Sequence, residues 1–282
     1  MTLRLLMTLA AALAIGACSD APTTSSDTES GPSFITSGEL DGNAHPAVVL
    51  IIADVGGAPA FRCSGTLIAP TVVLTAGHCT HNGPGAPPIT AMRIFTESNV
   101  QGGTNNYPFA GPNTIEAKAW QSHPLFPTAP FFLNDVGLIQ LNSPFTLAAN
   151  QYGRLPTVNQ LDALRTGSRF TAVGYGLQNA NKNHIQGVRI RMRAEPRLIQ
   201  INSTLTGGFS LLLSANGSTG GTCFGDSGGP NYLGTGNVIA GVTSYARNKN
   251  CAGTGGAFRL DRQNVLTFIT GQLASWGVTL PS

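Results

Sequence analysis

The sequence predicts an all-β body closed by a single C-terminal helix, and three observations carry that reading. Short apolar runs rich in β-branched residues recur at 48–52, 65–68, 72–75, 136–141 and 238–242, each of strand length. Turn signals such as Gly83-Pro84-Gly85 and Asn216-Gly217-Ser218 separate runs of this kind. Helical spacing is convincing only over 261–276, where Val265, Phe268, Ile269, Leu273 and Trp276 share about one face. Asp261 is the expected N-cap of that helix and Gly277 its stop. A parallel α/β plan needs long helical patterns between strands, and the sequence lacks them before this point.

Composition agrees. With 35 glycines and only 10% charged residues in 282, the chain is too apolar to stay disordered and suits a loop-rich β globule. A formal net charge of +3 without a long basic run gives nucleic-acid binding no support.

The amino-terminal stretch reads as an export signal over 1–17. Arg4 supplies the charge, and the apolar run over 5–16, broken only by Thr8, is too short for a comfortable membrane span. Leu13-Ala14-Ile15-Gly16-Ala17-Cys18 resembles a bacterial lipobox, so Cys18 is the expected lipidation site and anchor. Ordinary cleavage near Gly16 or Ala17 is the alternative. The expected location is outside the bacterial cytoplasm, either lipid-anchored at the envelope (the outer membrane) or released to the periplasm or medium. Residues 18–34, rich in Ser, Thr, Asp and Pro, read as a flexible tether or propeptide. Removing Cys18 leaves Cys63, Cys79, Cys223 and Cys251, which suffice for two bridges after export. Spacing alone permits three pairings.

Arg189, Arg191 and Arg193 alternate with Val188, Ile190 and Met192. This pattern predicts a strand whose arginines share a solvated face, with an anion-binding patch as the lesser reading.

The chemistry concentrates in three strings. Ser227 sits in Gly225-Asp226-Ser227-Gly228-Gly229-Pro230, where glycines let the backbone turn sharply and present a hydroxyl. The N–H groups of Gly225 and Ser227 can converge on a developing oxyanion. His78 lies in Thr75-Ala76-Gly77-His78-Cys79, and Asp135 in Asn134-Asp135-Val136-Gly137-Leu138-Ile139. A base, an acid that orients it and a nucleophile are what acyl transfer requires. His78 with Cys79, His81 and Cys63 lacks a paired Cys-x-x-Cys or His-x-x-x-His unit, so no metal is expected.

With their flanks and their order His, Asp, Ser, these strings resemble the trypsin/chymotrypsin-like serine proteases. Val173-Gly174-Tyr175-Gly176 and His123-Pro124 add to the likeness, which runs from about Ile35 to Trp276. The order differs from those of subtilisins and α/β-hydrolases. The resemblance implies two six-stranded antiparallel β-barrels of chymotrypsin type, at about 35–150 and 151–260, within a protease domain over 35–282. It implies bridges Cys63–Cys79 and Cys223–Cys251. It gives His78, Asp135 and Ser227 the catalytic roles, with no cofactor, protein or peptide substrates, and a monomer.

It also places Gly221 at the base of the specificity pocket, with Thr222, Ser244-Tyr245-Ala246 and Gly255-Gly256 as walls. An uncharged base removes the reason to expect cleavage after Lys or Arg, so an apolar preference is expected. Ile35-Thr36-Ser37-Gly38 resembles the family's activated amino terminus, departing at Thr36 and Ser37; Ile35 is then the residue whose amine pairs with Asp226. The residue before it is Phe34, and no Lys or Arg lies between Leu5 and Phe61, so a zymogen opened by an apolar-specific protease is expected. A catalytically silent homologue used for binding is the rival reading; neither a triad member nor an oxyanion glycine is missing for it.

Overall fold

A computed structural model describes residues 37–83, 85–126, 130, 132–181 and 184–281, with only the backbone of 181 and 184–186. The expected signal, the tether with Cys18, and Ile35 lie outside the described residues. After the short strand β1 (Glu39–Leu40), the chain forms β2 (Val48–Val55), β3 (Ala58–Ala69), β4 (Val72–Thr75), β5 (Ile89–Phe95), β6 (Thr114–Ser122) and β7 (Gly137–Leu141). These close into a barrel in the order β2-β3-β4-β7-β6-β5. The run Val48-Val49-Leu50-Ile51 is fully buried on both faces, which is why it reads as continuous rather than alternating.

The second half carries β8 (Phe170–Gly174), the hairpin β9 (Asn179–Asn181) and β10 (His184–Gln186), β11 (Met192–Ala194), β12 (Leu198–Ile201), β13 (Ser210–Ala215), β14 (Pro230–Leu233), β15 (Ile239–Ala246) and β16 (Gly253–Arg259). Apart from the hairpin, these join β1 in one sheet ordered β1-β11-β8-β14-β15-β16-β13-β12.

The first expected barrel closes, and the second half forms a half-barrel sheet in this order, so two full barrels are not borne out. The start of β8 meets the start of the edge strand β12 at an isolated Arg169–Arg197 bridge, with Phe170 N–H donating to the Pro196 carbonyl, Leu198 N–H to that of Ser168 and Gly167 N–H to that of Leu198. Pro196 has no N–H to return, so no ladder propagates there and the sheet stays open. A short helix α1 (Gly77–Thr80) follows β4, and α2 (Gln263–Ser275) ends the fold, burying Val265, Ile269 and Leu273. Gly277, at φ +66°, stops it, with Gly277 N–H bonded to the Ala274 carbonyl.

Two sequence expectations change. Asp261 does not cap α2; the N-cap position is Arg262. Asp261 turns inward, accepting Arg259 Nε at 2.9 Å and Nη2 at 2.8 Å, and Leu161 N–H at 2.8 Å. The arginine strand is not wholly solvated either. Arg193 pairs with Glu39 at the surface, but Arg191 is 1% exposed. Its Nε meets Asp41 Oδ2 at 3.0 Å, Nη1 donates to the Val48 carbonyl at 2.9 Å, and Nη2 to that of Gly42 at 2.8 Å. Period-two spacing fixes a face, but not what covers it; here the 41–48 segment does.

Replacing Arg191 by Met removes the guanidinium from the buried Asp41 carboxylate and leaves it only the His45 ring and main-chain N–H. It is expected to lower stability by about 3 kcal/mol, read by urea unfolding in a Ser227→Ala background. Arg193→Met, at the exposed pair, should change it by less than about 1 kcal/mol.

Candidate active site

Pairing of β4 with β7 in the register Thr75↔Gly137 brings the strings around His78 and Asp135 side by side. Helix α1 begins directly after Ala76 and presents His78 at the barrel rim. Asp135 is fully buried, behind the left-handed residue Asn134 at φ +57°. His78 donates its main-chain N–H to Asp135 Oδ1 at 2.9 Å, and its Nδ1 lies 2.9 Å from Oδ2 and 3.1 Å from Oδ1. Ser244 donates its hydroxyl to Oδ2 at 2.6 Å. Burial pulls the imidazole toward its neutral form, but the Asp135 charge and hydrogen bond outweigh that and raise its pKa above the ordinary value. The arrangement fixes Nδ1 as the donor to Asp135 and leaves Nε2 as the acceptor nitrogen.

Ser227 enters from the second sheet, in the turn between β13 and β14. Its carbonyl accepts Ser64 N–H of β3 at 2.8 Å, which docks the turn onto the barrel. Gly225 and Gly228 have φ of +98° and +78°, and a Cβ on Gly228 would lie 1.9 Å from Thr75 Oγ1, so only glycine fits there. Leu177 N–H bonds the Phe224 carbonyl at 2.8 Å, and the Ser64 hydroxyl bonds the Gly225 carbonyl at 2.9 Å. Both peptides flanking Gly225 are thereby fixed. The bridges Cys63–Cys79 and Cys223–Cys251 form, with Cα separations of 6.2 and 5.2 Å, bracing α1 and the Ser227 turn. The two sulfurs near His78 are bonded to each other and offer no thiolate to a metal.

His78 and Ser227 share a cleft of about 280 Å³ with Thr222, Cys223, Phe224, Thr243, Ser244, Tyr245 and Ala246. Apart from His78, no ionisable side chain other than the Tyr245 phenol lines it among the described residues. Gly221 and Gly256 stand behind this lining. A Cβ on Gly221 would lie 2.3 Å from Ala215 Cβ, so β13 packs where a pocket-base side chain would begin. Gly256 lies under the Tyr245 ring, and the Tyr245 hydroxyl meets Ser210 Oγ at 3.1 Å. Phe132 packs edge-on to Tyr245 and stacks on Phe209.

The family model described as Trypsin matches residues 39–269. The chain belongs to the trypsin family. It is 27% identical over 197 residues to a collagenase of Hypoderma lineatum, covering 67% of each chain. To a chymotrypsin of Phaedon cochleariae it is 27% identical over 220 residues, covering 76% of this chain and 72% of the relative. The solved structure of HL collagenase superposes with a TM-score of 0.64 at 21% identity, over 86% of this chain and 99% of that one. A mutant of human heparin binding protein gives 0.61 at 18% identity, over 84% and 96%. At these identities the structures establish the chymotrypsin-like fold alone, with its closed barrel, open second sheet and terminal helix.

Within this trypsin-family chain, sequence reasoning missed three supports of the site. Ser244 was read only as a pocket wall, yet its hydroxyl holds Asp135. Ser64 and Leu177 carry no motif, and their roles arise from long-range packing. Asp226 is fully buried, accepting Gly176 N–H at 2.8 Å and Cys223 N–H at 2.9 Å. Burial pushes its carboxyl up to about 6, against those two bonds and the Arg62 charge, which favour ionisation. Ser37, the first described residue, brings its carbonyl within 3.0 Å of a Cβ built on Gly220, beside the turn that carries Asp226.

A folded pKa above the unfolded one means that the folded state retains a proton the unfolded state releases. With the residues preceding Ile35 still attached, the melting temperature should therefore fall as pH rises from about 4 to about 6. Asp226→Asn should flatten that decline, as scanning calorimetry in a Ser227→Ala background would register.

Proposed function

We propose that this chain is an exported serine endopeptidase that cleaves after apolar residues. The observation that carries the reading is the doubly held His78–Asp135 pair facing the cleft that contains Ser227. Ser227 Oγ attacks the scissile carbonyl while His78 Nε2 takes its proton, and Asp135 stabilises the resulting imidazolium. The N–H groups of Gly225 and Ser227 receive the oxyanion; the bonds that fix the Phe224 and Gly225 carbonyls support that assignment. His78 then protonates the leaving amine, the acyl-enzyme forms, and water reverses the sequence. The uncharged lining around Thr222, Thr243 and Ala246, and the packing of Gly221 against Ala215, favour an apolar side chain before the cut.

Activation follows from Asp226. A buried carboxylate whose pKa is raised by burial gains most from a cation, and an amine freed at Ile35 supplies one. Cleavage after Phe34 produces that amine and detaches the enzyme from a Cys18 lipid anchor at the cell envelope. The protease domain then spans 35–282, acting as a monomer without a cofactor.

Fluorophosphonate should label processed protein and fail on Ser227→Ala, and absence of labelling in processed wild type would favour the silent, binding homologue. In a peptide panel, Phe, Leu or Met before the cut should exceed Lys or Arg. Because His78 must be neutral to act as base, kcat/KM should rise with pH through an apparent pKa above 6.5. Amino-terminal sequencing of active protein should begin at Ile35; a start at Cys18 with full activity would sink the zymogen.

A further inference from the structure

Arg62 lies on β3 directly before Cys63, and Ser64, two residues on, bonds the Ser227 carbonyl. It is not part of the lining of the apolar cleft. Its guanidinium reaches toward the nucleophile turn: a Cβ on Gly225 would lie 3.0 Å from its Nε and 3.3 Å from its Nη2, and one on Gly187 would lie 3.5 Å from Nη2. Two glycines thus face a cation where other residues would bring side chains.

The other well-buried arginines are spoken for. Arg93 pairs with Asp54, Arg191 with Asp41, and Arg259 with Asp162 and Asp261. Arg62, only partly exposed, has no hydrogen bond or ion pair among the described residues. Asp226 feels its charge, but that carboxylate is fully buried and already accepts Gly176 and Cys223 N–H groups. A half-buried guanidinium without an acidic partner, beside the oxyanion donor, is poised for an anion that arrives with the substrate.

We infer that Arg62 selects peptides carrying a carboxylate just after the scissile bond. The inference rests on the peptidase reading: the acyl half occupies the cleft at Thr222 and Ser244–Ala246, and Arg62 and the Cys63–Cys79 bridge, outside that lining but with Cys79 Sγ 3.6 Å from the Ser227 carbonyl, flank the side left to the departing half. An extended chain advances about 3.3 Å per residue, so the first or second residue after the cut comes within reach. The ligand chemistry is a carboxylate, supplied by an Asp or Glu side chain or by the carboxyl terminus of a short leaving peptide.

Internally quenched peptides with one apolar acyl half test this. The leaving half carries Asp, Ala or Lys at its first, second or third position with an amidated end, and a separate arm uses a two-residue leaving group with a free or amidated terminus. Wild type should prefer the carboxylate by about tenfold in kcat/KM, in whichever arm holds the true source. Arg62→Ala should collapse that ratio toward one, and Arg62→Glu should invert it in favour of Lys. An unchanged Asp-to-Ala ratio in Arg62→Ala would overturn the inference. So would an equal loss on every peptide and on an anilide lacking a leaving-side residue, which would place the role of Arg62 at Asp226. Failure of wild type to label with fluorophosphonate would instead remove the peptidase reading and this inference with it.

Discussion

The Asp135 carboxylate is the point on which the two halves of the molecule converge. It takes the His78 main-chain N–H and Nδ1 from the barrel side and the Ser244 hydroxyl from β15 of the second sheet. Fully buried, it cannot turn to water for any lost partner, so these bonds fix both the imidazole plane and the approach of β15. The Ser64 bond to the Ser227 carbonyl does the complementary work from β3. Two contacts between sheets, one through a side chain and one through main chain, set how His78 and Ser227 stand relative to each other.

The remaining buried charges obey the same rule of compensation. Arg191 and Asp41 neutralise each other beneath the amino-terminal segment, and Arg259, Asp261 and Asp162 do so beside α2. Asp226 differs. Its partners among the described residues are main-chain N–H groups and the charge of Arg62, and burial dominates its titration. An incompletely compensated carboxylate one residue before Ser227 makes the turn around it sensitive to any cation that reaches it, whereas the charges elsewhere are already paired.

Much of this was legible in the chain. The apolar run at 48–52 could only be a buried strand, and Val265, Ile269 and Leu273 face the core as their spacing requires. His78, Asp135 and Ser227 were legible because each sits in a local string whose geometry is local: a helix start, a strand entry, a glycine turn. Arg191 and Asp261 were misread because burial is imposed by segments far away, the 41–48 stretch for one and Leu161 for the other, where the neighbouring Arg259 completes the pairing. The half-open second sheet escaped for a similar reason. Closure depends on how β8 meets β12, and one proline at that junction is silent about closure until the strands are brought together.

The sequence by itself determined the strand-rich class, the terminal helix, the strings around His78, Asp135 and Ser227 and the four cysteines available for pairing. Periodicity, turn chemistry and residue type are local properties, and they survive in a linear reading. Tertiary structure alone decided which arginine goes inside, that Gly221 is closed off by Ala215 and Gly256 covered by Tyr245, and that Ser244, Ser64 and Leu177 hold the site in place. Most of those outcomes depend on contacts between residues tens to more than a hundred positions apart, and all draw their strength from burial, which exists only once the sheets have packed.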